Sequence, residues 1–454
     1  MTQDPILEMM NGARQREVFY WYGRYTAIAK AEPHRVAVLK VSGKIIDNSV
    51  DRLAEDLFWL QQHDFNPALT FGWSESLTER LGRSGIETKK IKGDRVTTER
   101  EMPYVLKEAQ EKGAQLIGAL QSRGVKSIYL GPDHGVVIGR GKTEPGYGVH
   151  NGDVEAINTS PIIDAISGYK IIPVVCILGI SRDGSKLYNI NNVNVGTALV
   201  QALDPEFFGL VTGTAGVLGR DRRILPELVL KRDYAGLVGD GTLFGDMLKN
   251  VDEAKKMLED SKDGYKRSVR VVGVDTLLPE MFYDRGGGTE IRLGYDINIV
   301  RISDMDKALI TEIVRDSLGE ELREDYFHQA AGKGSVVFWE RGNKGFLISQ
   351  GYYVDIAAVR KESQGNHLGN DLFVAFADYQ GASPKAYWRS RTDREGPAND
   401  FYQRFIKRFP DSGFQEFVAY DGTRYCGYWF GLKPREIADG LELMRNKPRN
   451  YKPK

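Results

Sequence analysis

The sequence predicts an α/β fold in its first part, an open and mostly parallel sheet with helices on both faces, followed by an α+β domain. Short apolar segments alternate with segments of helical periodicity over residues 33–285, and glycines follow several strand ends. Three consecutive glycines, Gly286–Gly288, mark a break, after which strands follow each other more closely. These observations divide the 454 residues into a leading helix over 1–32, a first domain over 33–285, a glycine-rich linker over 286–294 and a second domain over 295–454.

Each element of the first domain follows from its local pattern. Short apolar runs predict strands at Val36–Val41, Ala68–Phe71, Ser127–Leu130, Ile171–Leu178 and Phe208–Thr212. Apolar residues at helical spacing predict helices at Val50–His63, Ser74–Leu81, Pro103–Arg123, Val195–Leu203 and Val251–Glu259. Ser74 is expected to cap its helix. In such a sheet ligands bind beyond the carboxyl ends of the strands.

The second domain is predicted to contain a strand, a helix, further strands and a second helix. The segments are Tyr295–Ile302, Asp304–Leu318 (helix), Ser335–Trp339, Gly345–Tyr353, Val354–Val359 and Asp371–Phe376 (helix). Between the last strand and the last helix lies the sequence Gln364-Gly-Asn-His-Leu-Gly369. Free amides at the start of a helix favour anions, so this segment could bind a pyrophosphate.

The composition excludes several classes of protein. Lysine and arginine number 62, and so do aspartate and glutamate, which argues against a nucleic-acid partner. No apolar run reaches the roughly 18–20 residues of a membrane helix, so no membrane partner is expected. The first residues lack a secretory signal, and Cys176 and Cys426 lie in apolar segments, which together predict a cytoplasmic protein with reduced thiols. The histidines and cysteines show no metal-ligand spacing, so no metal site is expected.

A first set of glycine-containing motifs carries a family resemblance. Glycines at strand ends are, taken alone, more often simple turns than ligand sites. The ordered set is Lys40-Val-Ser-Gly43, Gly93-Asp-Arg-Val-Thr97, Asn189-Ile-Asn191, Leu210–Leu218 and Gly241–Met247. This order resembles the amino acid kinase family, and most closely its N-acetylglutamate kinase members. There the first-strand lysine stabilises charge on the transferring phosphoryl group, and the arginine of the second motif binds the substrate carboxylate.

The resemblance keeps some kinase residues and loses others. The matching positions are Lys40, Gly43, Gly72, Arg95, Asn189 and Asn191. The departures are Trp73 in the glycine-rich substrate loop, Val193 in place of an aspartate, Asp246 in place of a glycine and Asn250 in place of a lysine. Trp73 is expected to obstruct the close backbone approach of that loop. These changes imply a pseudokinase that serves assembly and regulation, for which ATP and Mg²⁺ are not expected.

A second set of motifs resembles the acetyltransferase domain of N-acetylglutamate synthases, a branch of the GCN5-related acetyltransferases. It comprises the loop 364–369 after its strand, Tyr387-Trp-Arg-Ser-Arg391, Asn399-Asp-Phe-Tyr402 and Tyr428–Leu432. The segment Pro279–Gly294 is similar to the join in bifunctional N-acetylglutamate synthase/kinases. Arginine biosynthesis is the pathway this resemblance implies.

The second resemblance implies acetyl-CoA as cofactor and an amino acid, by default L-glutamate, as acceptor. The deprotonated amine attacks the thioester directly, without a covalent enzyme intermediate. The implied catalytic residues are Tyr402 and Asn399, and the substrate is bound by Arg389, Asn399 and Asp355. The implied cofactor-binding residues are Ala357, Ala358, Val359, Gln364, Gly365, Asn366, His367, Leu368, Gly369 and Asn370.

Here too the sequence departs from the family. His367 stands where the loop usually has glycine, and Ile356 stands where the family has a lysine that pairs with a substrate carboxylate. One negative charge of the substrate is therefore expected to lack its partner, which brings glutamate itself into question. An insertion over Lys407–Glu416 lengthens the path to the next motif.

Three functions remain open from the sequence. The first is amino-acid N-acetylation, the second a retained N-acetylglutamate kinase, and the third a non-catalytic protein that binds arginine, acetylglutamate or a partner chain. A diverged enzyme of specialised metabolism with another acyl donor or acceptor lies between the first and the third. Glu280 and Gly286–Gly288 match arginine-regulated relatives, so arginine is an implied effector. The family also implies a homo-oligomer, a dimer or tetramer.

Overall fold

The computed structural model describes residues 5–10, 12, 15–91, 93–261, 264, 267–283, 285–392 and 398–452. The chain forms two compact units, Met1–Leu293 and Gly294–Lys454, here called unit 1 and unit 2.

Strands and helices alternate along unit 1. Its strands are β1 (Ala37–Val41), β2 (Ala68–Phe71), β3 (Lys90–Ile91), β4 (Asp94–Arg95), β5 (Ser127–Leu130), β6 (Val137–Gly141), β7 (Asn151–Ile157), β8 (Ile172–Val175), β9 (Leu178–Ile180), β10 (Leu187–Ile190), β11 (Phe207–Val211), β12 (Glu227–Val229), β13 (Val269–Val272) and β14 (Thr289–Arg292). Its helices are α1 (Pro5–Met10), α2 (Gln15–Ala31), α3 (Gly43–Asn48), α4 (Val50–Gln62), α5 (Ser74–Arg83), α6 (Met102–Ser122), α7 (Ser160–Ile163), α8 (Asn192–Leu203), α9 (Ala235–Gly239), α10 (Gly245–Asp260) and α11 (Leu277–Phe282).

The main sheet of unit 1 has the strand order β12-β14-β13-β11-β1-β2-β8-β5. Its pairs are parallel except for β13 with β14. The central strands β2, β8 and β11 are buried along their whole length, because helices cover both faces and every side chain must be apolar or satisfied. This is the mostly parallel sheet that the sequence predicts. Strands β10, β7, β6 and β9 form a small closed barrel beside it.

Unit 2 is an α+β domain around a mixed sheet. Its strands are β15 (Ile297–Arg301), β16 (Val336–Glu340), β17 (Gly345–Gln350), β18 (Tyr353–Val359), β19 (Ala386–Arg391), β20 (Gly413–Val418) and β21 (Arg424–Phe430). Its helices are α12 (Lys307–Leu318), α13 (Tyr326–Gly332), α14 (Leu368–Tyr379), α15 (Ala398–Ile406) and α16 (Pro434–Asn446). The order is β15-β16-β17-β18-β19-β21-β20, and the pair β18 with β19 is parallel whereas its neighbours are antiparallel.

The structure differs from the predicted linker over 286–294. Strand β14 lies within that range and pairs with β13 and β12 of the main sheet, so unit 1 extends to Leu293. The glycines before it are required by close packing. A Cβ on Gly286 would lie 2.1 Å from the carbonyl oxygen of Pro279, and one on Gly288 would lie 2.7 Å from that of Val271. The glycine run is therefore a tightly packed turn that leads into the last strand of unit 1.

Three smaller expectations also change. The leading helix is broken into α1 and α2, and residues 1–4, 11, 13 and 14 lie outside the described residues. The N-cap of α5 is Trp73, so Ser74 is the first helical residue and its hydroxyl is not the cap. Part of the insertion Lys407–Glu416 belongs to β20, which pairs with β21 at the edge of the sheet.

Candidate functional site

The first candidate site lies in unit 1 at the carboxyl end of β1 and β2. Lys40 is on β1, and its ammonium donates to the carboxylate of Glu253 on α10. Both side chains are mostly buried, with exposed fractions of 11% and 15%. The lysine that the resemblance assigns to the transferring phosphoryl group is therefore paired with a carboxylate of the same chain.

Two glycines bring the backbone segments of this site into contact. A Cβ on Gly43 would lie 2.8 Å from the carbonyl oxygen of Gly72, and a Cβ on Gly72 would lie 2.8 Å from Nδ2 of Asn192. The neighbouring side chain of Trp73 is 4% exposed, and its ring centroid lies 5.3 Å from that of Phe71. The close approach of residues 43 and 72 is thus kept while the Trp73 ring is buried in the core.

Arg95 is a buried cation at the side of α5. Its Nη2 donates to the carbonyl oxygen of Ser74 at 2.9 Å and to Oγ1 of Thr78 at 2.6 Å. Among the described residues its Nη1 atom is buried and has no hydrogen-bond partner. Burial lowers the pKa of this guanidinium, although Glu101 acts in the opposite direction. An arginine with one unused buried donor is suited to an anionic ligand.

The two asparagines of the third motif hold the site together. Asn189 donates from Nδ2 to Oγ1 of Thr97 at 2.9 Å. Asn191 caps α8, accepting from the amide of Val193 at 2.9 Å, and donates to Asp94 at 2.6 Å. Both side chains therefore have structural partners, and Val193 contributes a main-chain amide where the family has a carboxylate.

Two charged groups that sequence reasoning missed complete this region. Lys142 lies 2.9 Å from Asp94 and 3.1 Å from Asp153. Burial acts against its charge, but the bonds to the two carboxylates raise its pKa overall. Lys44 donates to Asp246 at 2.6 Å, and that contact lowers the pKa of the carboxyl group. Asp246, which stands where the family has a glycine, is thus paired with Lys44 of the same chain.

The second candidate site lies in unit 2, where two neighbouring strands diverge. The register of β18 with β17 passes from Ile348↔Ile356 to Ser349↔Val354, which makes Asp355 the extra residue of a β-bulge. The parallel pair of β18 and β19 is registered at Tyr353↔Tyr387, near the start of both strands. Beyond this point the strands separate, and a ligand can enter between their carboxyl ends.

The side chain of the bulge residue Asp355 is fully buried, and its carboxylate accepts from four donors. Its Oδ1 accepts from Lys447 Nζ at 3.0 Å and from Asn450 Nδ2 at 2.8 Å. Its Oδ2 accepts from the hydroxyl of Tyr326 at 3.1 Å and from Gln350 Nε2 at 3.2 Å. Every lone-pair direction of this carboxylate is used by groups of the same chain.

The predicted cofactor residues follow on the same strand. Ala357 and Ala358 lie opposite Leu347 and Phe346 of β17, so small side chains border the gap between the strands. The amide of Val359 donates to the hydroxyl of Ser317 on α12 at 3.1 Å.

The loop 364–370 opens α14 with two left-handed residues. Gly365 has φ of +80° and His367 has φ of +63°. The family glycine at position 367 suits this left-handed conformation, and in this chain a histidine adopts it. His367 is the N-cap of α14, and its side chain makes no capping bond to the first turn. The Asn370 side chain is buried and accepts from Arg408 at 2.6 Å.

The predicted acceptor residues lie on β19 and α15. Arg389 donates to the carbonyl oxygens of Met444, Lys447 (2.8 Å) and Pro448 (3.2 Å). Asn399 donates to the carbonyl of Arg391 at 3.1 Å and accepts from the hydroxyl of Tyr428 at 3.1 Å.

Tyr402 packs in an aromatic group. Its ring centroid lies 5.4 Å from that of Trp388 and 5.3 Å from that of Tyr428. Burial raises the pKa of Tyr402 to about 12, so the phenol keeps its proton at neutral pH. The roles of Arg389, Asn399 and Tyr402 stay predictions.

Comparison with known proteins gives the family. The model of the amino acid kinase family matches residues 35–272, more than half of the chain. The chain belongs to the amino acid kinase family. Acetylglutamate kinase of Xylella fastidiosa (strain 9a5c) is 28% identical to this family member over 400 residues, which are 86% of this chain and 90% of that kinase. Acetylglutamate kinase of Methylobacterium nodulans is 28% identical over 295 residues, 59% of this chain and 94% of that kinase.

Solved structures give the fold of the whole family member. N-acetylglutamate synthase from Neisseria gonorrhoeae, complexed with coenzyme A and N-acetyl-glutamate, matches with a TM-score of 0.68 at 17% identity, covering 91% of this chain and 98% of that one. The same synthase with coenzyme A and L-arginine gives 0.52 at 17% identity, over 90% and 97%. The predicted fold is confirmed: an amino acid kinase fold followed by an α+β domain, the fold of that synthase.

The described ranges contain neither a membrane-spanning helix nor a metal-binding cluster. No helix there is long and apolar enough to cross a membrane. Within the same part of the chain, no group of three or more His, Cys, Asp or Glu side chains could hold a metal ion.

Proposed function

We propose that this chain is an acetyl-CoA-dependent N-acetyltransferase that acts on the α-amino group of an amino acid, by default L-glutamate, in arginine biosynthesis. The proposal rests on one observation in unit 2: a bulged strand diverges from its parallel neighbour next to the amide-bearing start of α14. The synthase that shares this fold over 91% of the chain supports it. We further propose that the enzyme is cytoplasmic and that unit 2 is a GCN5-related acetyltransferase.

The surroundings of the diverging strands fit acetyl-CoA. When bound, acetyl-CoA supplies an acetyl group activated as a thioester. The main chain of Ala357–Val359 would border the acetyl group, and residues 364–369 would hold the pyrophosphate through amides of the loop and first helical turn. Two left-handed residues at 365 and 367 turn successive amides of this loop toward one side, as in other anion-binding backbone loops. Asn370 contributes its main chain, because its side chain is occupied.

In this proposal the acceptor side is formed by polar groups of β19 and α15. Asn399 is fixed by bonds to Arg391 and Tyr428, so its amide can orient the acceptor without rearrangement. Tyr402 holds its proton at neutral pH and is the group we assign as proton donor to the departing thiolate. The ammonium group of the acceptor loses one proton to solvent before attack. When the C–S bond breaks, the nitrogen loses a second proton, which solvent returns to the Tyr402 phenolate.

Unit 1 is, in our proposal, a pseudokinase. Lys40 is neutralised by Glu253, and Lys44 by Asp246, so neither ammonium is left to stabilise a transferring phosphoryl group. Val193 and Asn250 lack the charges that the kinase motif provides. The unpartnered Nη1 of Arg95 supports retained binding of a carboxylate ligand without its phosphorylation.

A retained N-acetylglutamate kinase is the second candidate, and the acetylglutamate kinases similar over 86% of the chain favour it. This activity transfers the γ-phosphoryl group of ATP to a carboxylate and gives an acyl phosphate, which hydroxylamine traps as a hydroxamate. Hydroxamate formed from N-acetylglutamate and ATP would support the kinase. A preparation that is active in the acetyltransferase assay but forms no hydroxamate would support the pseudokinase.

We propose arginine as an effector that binds in unit 1. A cavity there is lined by aromatic and charged side chains, among them Tyr25, Glu206 and Glu280. The Glu280 carboxylate already accepts from Arg270 and from the amide of Gly288, each at 2.9 Å, so an incoming guanidinium has to share it. A relative of the same fold has been solved with L-arginine. Arginine that neither raises the melting temperature nor changes activity would end this proposal.

We also propose a homo-oligomer, a dimer or tetramer. Leu7 on α1 and Phe19 and Tyr20 on α2 are each more than half exposed, although they are large and apolar. Burial of this side of the leading helices between copies would account for them. Light scattering that gives the mass of one chain would exclude it.

The deciding experiment measures release of CoA thiol from acetyl-CoA against a panel of amino acids. We expect turnover with at least one acceptor, and we expect Tyr402→Phe to lower kcat by about 100-fold because the proton donor is lost. Tyr420→Phe is the matched control, since Tyr420 is 94% exposed and lies outside the site. The proposal fails if no amino acid elicits CoA release.

A further inference from the structure

The last residues of the described chain cross unit 2 next to the diverging strands. We call residues 447–452 the C-terminal strap. The carbonyl of Asn450 accepts from the amide of Arg323 at 3.0 Å, and the amide of Lys452 donates to the carbonyl of Glu321 at 2.8 Å. Tyr451 forms an antiparallel bridge with Leu322. These main-chain bonds attach the strap to the segment before α13 as a fixed part of the unit.

The strap joins the two strands that separate. Asn450 Nδ2 donates to both the carboxylate and the carbonyl oxygen of Asp355 on β18, at 2.8 and 3.3 Å. Arg389 on β19 donates to the carbonyls of Lys447 and Pro448. The strap therefore bridges Asp355 and Arg389, two of the residues that the sequence assigns to the acceptor.

The charges at this bridge do not balance. Asp355 supplies one negative charge, whereas Lys447 and Arg389 supply one positive charge each. The hydrogen bonds of Arg389 among the described residues go to main-chain carbonyls, which carry no net charge. Lys447 is only 13% exposed, and its pKa is lowered first by burial and further by nearby Lys333 and Arg389, against the effect of Asp355. An anion at this point would relieve the excess positive charge.

Lys447 also has donor capacity to spare. Of the three N–H donors of a lysine ammonium, one is directed to Asp355 at 3.0 Å and one to Asn450 Oδ1 at 2.9 Å. Within the described part of the chain no third partner accompanies them. Tyr353 lies beneath the ammonium, its ring centroid 5.5 Å from Nζ, and fixes its position.

We propose that Lys447 determines the specificity for the acceptor: its ammonium, held by Asp355 and Asn450, binds a free carboxylate of the amino acid. The substrate class is therefore an acceptor that carries an unmodified carboxylate beside its reacting amine. This inference rests on the proposed acetyltransferase function. It gives the chain a cation from the strap at a site where Ile356 offers none.

The experiment compares Lys447→Met with Lys447→Arg in the full-length enzyme, using steady-state CoA release. Each variant is assayed with the preferred amino acid and with the same amino acid amidated at its carboxylate. We expect Lys447→Met to raise KM for the free acid at least about tenfold, because one charge-assisted hydrogen bond is lost. KM for the amide and for acetyl-CoA should stay within about twofold, and Lys447→Arg should recover most of the loss.

Two controls separate binding from folding. Lys452→Met removes a strap lysine that pairs with exposed carboxylates and should leave all constants unchanged. Because Lys447→Met leaves the buried Asp355 without its cation, the double variant Asp355→Asn/Lys447→Met is measured as well, together with circular dichroism and melting temperature. A discrimination between acid and amide that persists in this folded double variant would overturn the proposal.

A binding experiment tests the role of Lys447 separately from catalysis. When no amino acid gives turnover, calorimetry with CoA present compares glutamate with its amide on the parent and on Lys447→Met. Preferential binding of the acid that disappears in Lys447→Met supports the role of Lys447 without catalysis. Equal affinity for acid and amide, or an unchanged preference in the variant, overturns it.

Discussion

At the scale of single residues, two charged groups of the candidate sites are bound by partners far away in the sequence. Lys40 is bound by Glu253, 213 positions later, and Asp355 is bound by Asn450, 95 positions later. Buried charges are rarely left alone because desolvation costs several kcal/mol per ion. The partners of a lysine or aspartate in a ligand motif therefore decide whether it can still act on a ligand.

Asp56 on α4 is a buried carboxylate of unit 1 whose pKa is shifted by its burial. It is 5% exposed, and burial raises its pKa from 3.8 to about 7, with Arg52 acting in the opposite direction. A raised folded-state pKa stabilises the fold below about pH 4 and loses this contribution as the pH rises through about 7. We expect Asp56→Asn to be more stable than the parent at pH 8, by up to roughly 4 kcal/mol, and the gain to vanish near pH 4.

Thermal melts of both proteins from pH 4 to pH 8 measure this difference. Asp51→Asn is the control, because Asp51 lies on the same helix with an exposed side chain. A gain for Asp56→Asn that is the same at both ends of the pH range would contradict the assignment.

At the scale of elements, the second site depends on one bulge and one loop. The bulge at Asp355 turns β18 away from β19, and the loop before α14 reverses the chain through left-handed residues at 365 and 367. Glycine tolerates that conformation without strain, and histidine tolerates it better than a β-branched residue does. The loss of the family glycine at 367 therefore leaves the shape of the loop intact.

Position 367 gives a matched pair of variants. We expect His367→Gly to keep or raise the free energy of unfolding, and His367→Ile to lower it by about 1–2 kcal/mol, because a β-branched side chain clashes with the backbone at positive φ. Urea denaturation of the full chain measures both. Equal stability of the glycine and isoleucine variants would show that residue 367 does not hold the left-handed conformation.

At the scale of the whole molecule, the two units differ in the groups that could bind a ligand. Unit 1 has the residue order of an amino acid kinase with its cations paired internally, and unit 2 has the diverging strands that we assign to acetyl transfer. The two assignments predict different responses to ligands.

We expect acetyl-CoA to raise the melting temperature of the full chain, since a ligand at 100 times its Kd stabilises the folded state by about 2.7 kcal/mol. ATP with Mg²⁺ at the same concentration should leave it unchanged, because Lys40 is paired with Glu253 and Asn250 stands in place of the second lysine. Differential scanning fluorimetry with each ligand makes the comparison. An ATP-dependent rise that is lost in Lys40→Met would favour the retained kinase.

The sequence by itself determined what local pattern and chain order encode. The mostly parallel first sheet and the α+β second domain follow from periodicity, and the motif order carries the family resemblance. It placed the linker wrongly, because a glycine run looks the same in a flexible join and in the packed turn before β14. Only the tertiary structure decided which charges remain available. Glu253 and Lys447 belong to no recognisable motif. Folding brings them from distant segments to Lys40 and Asp355, whose buried charges must be compensated.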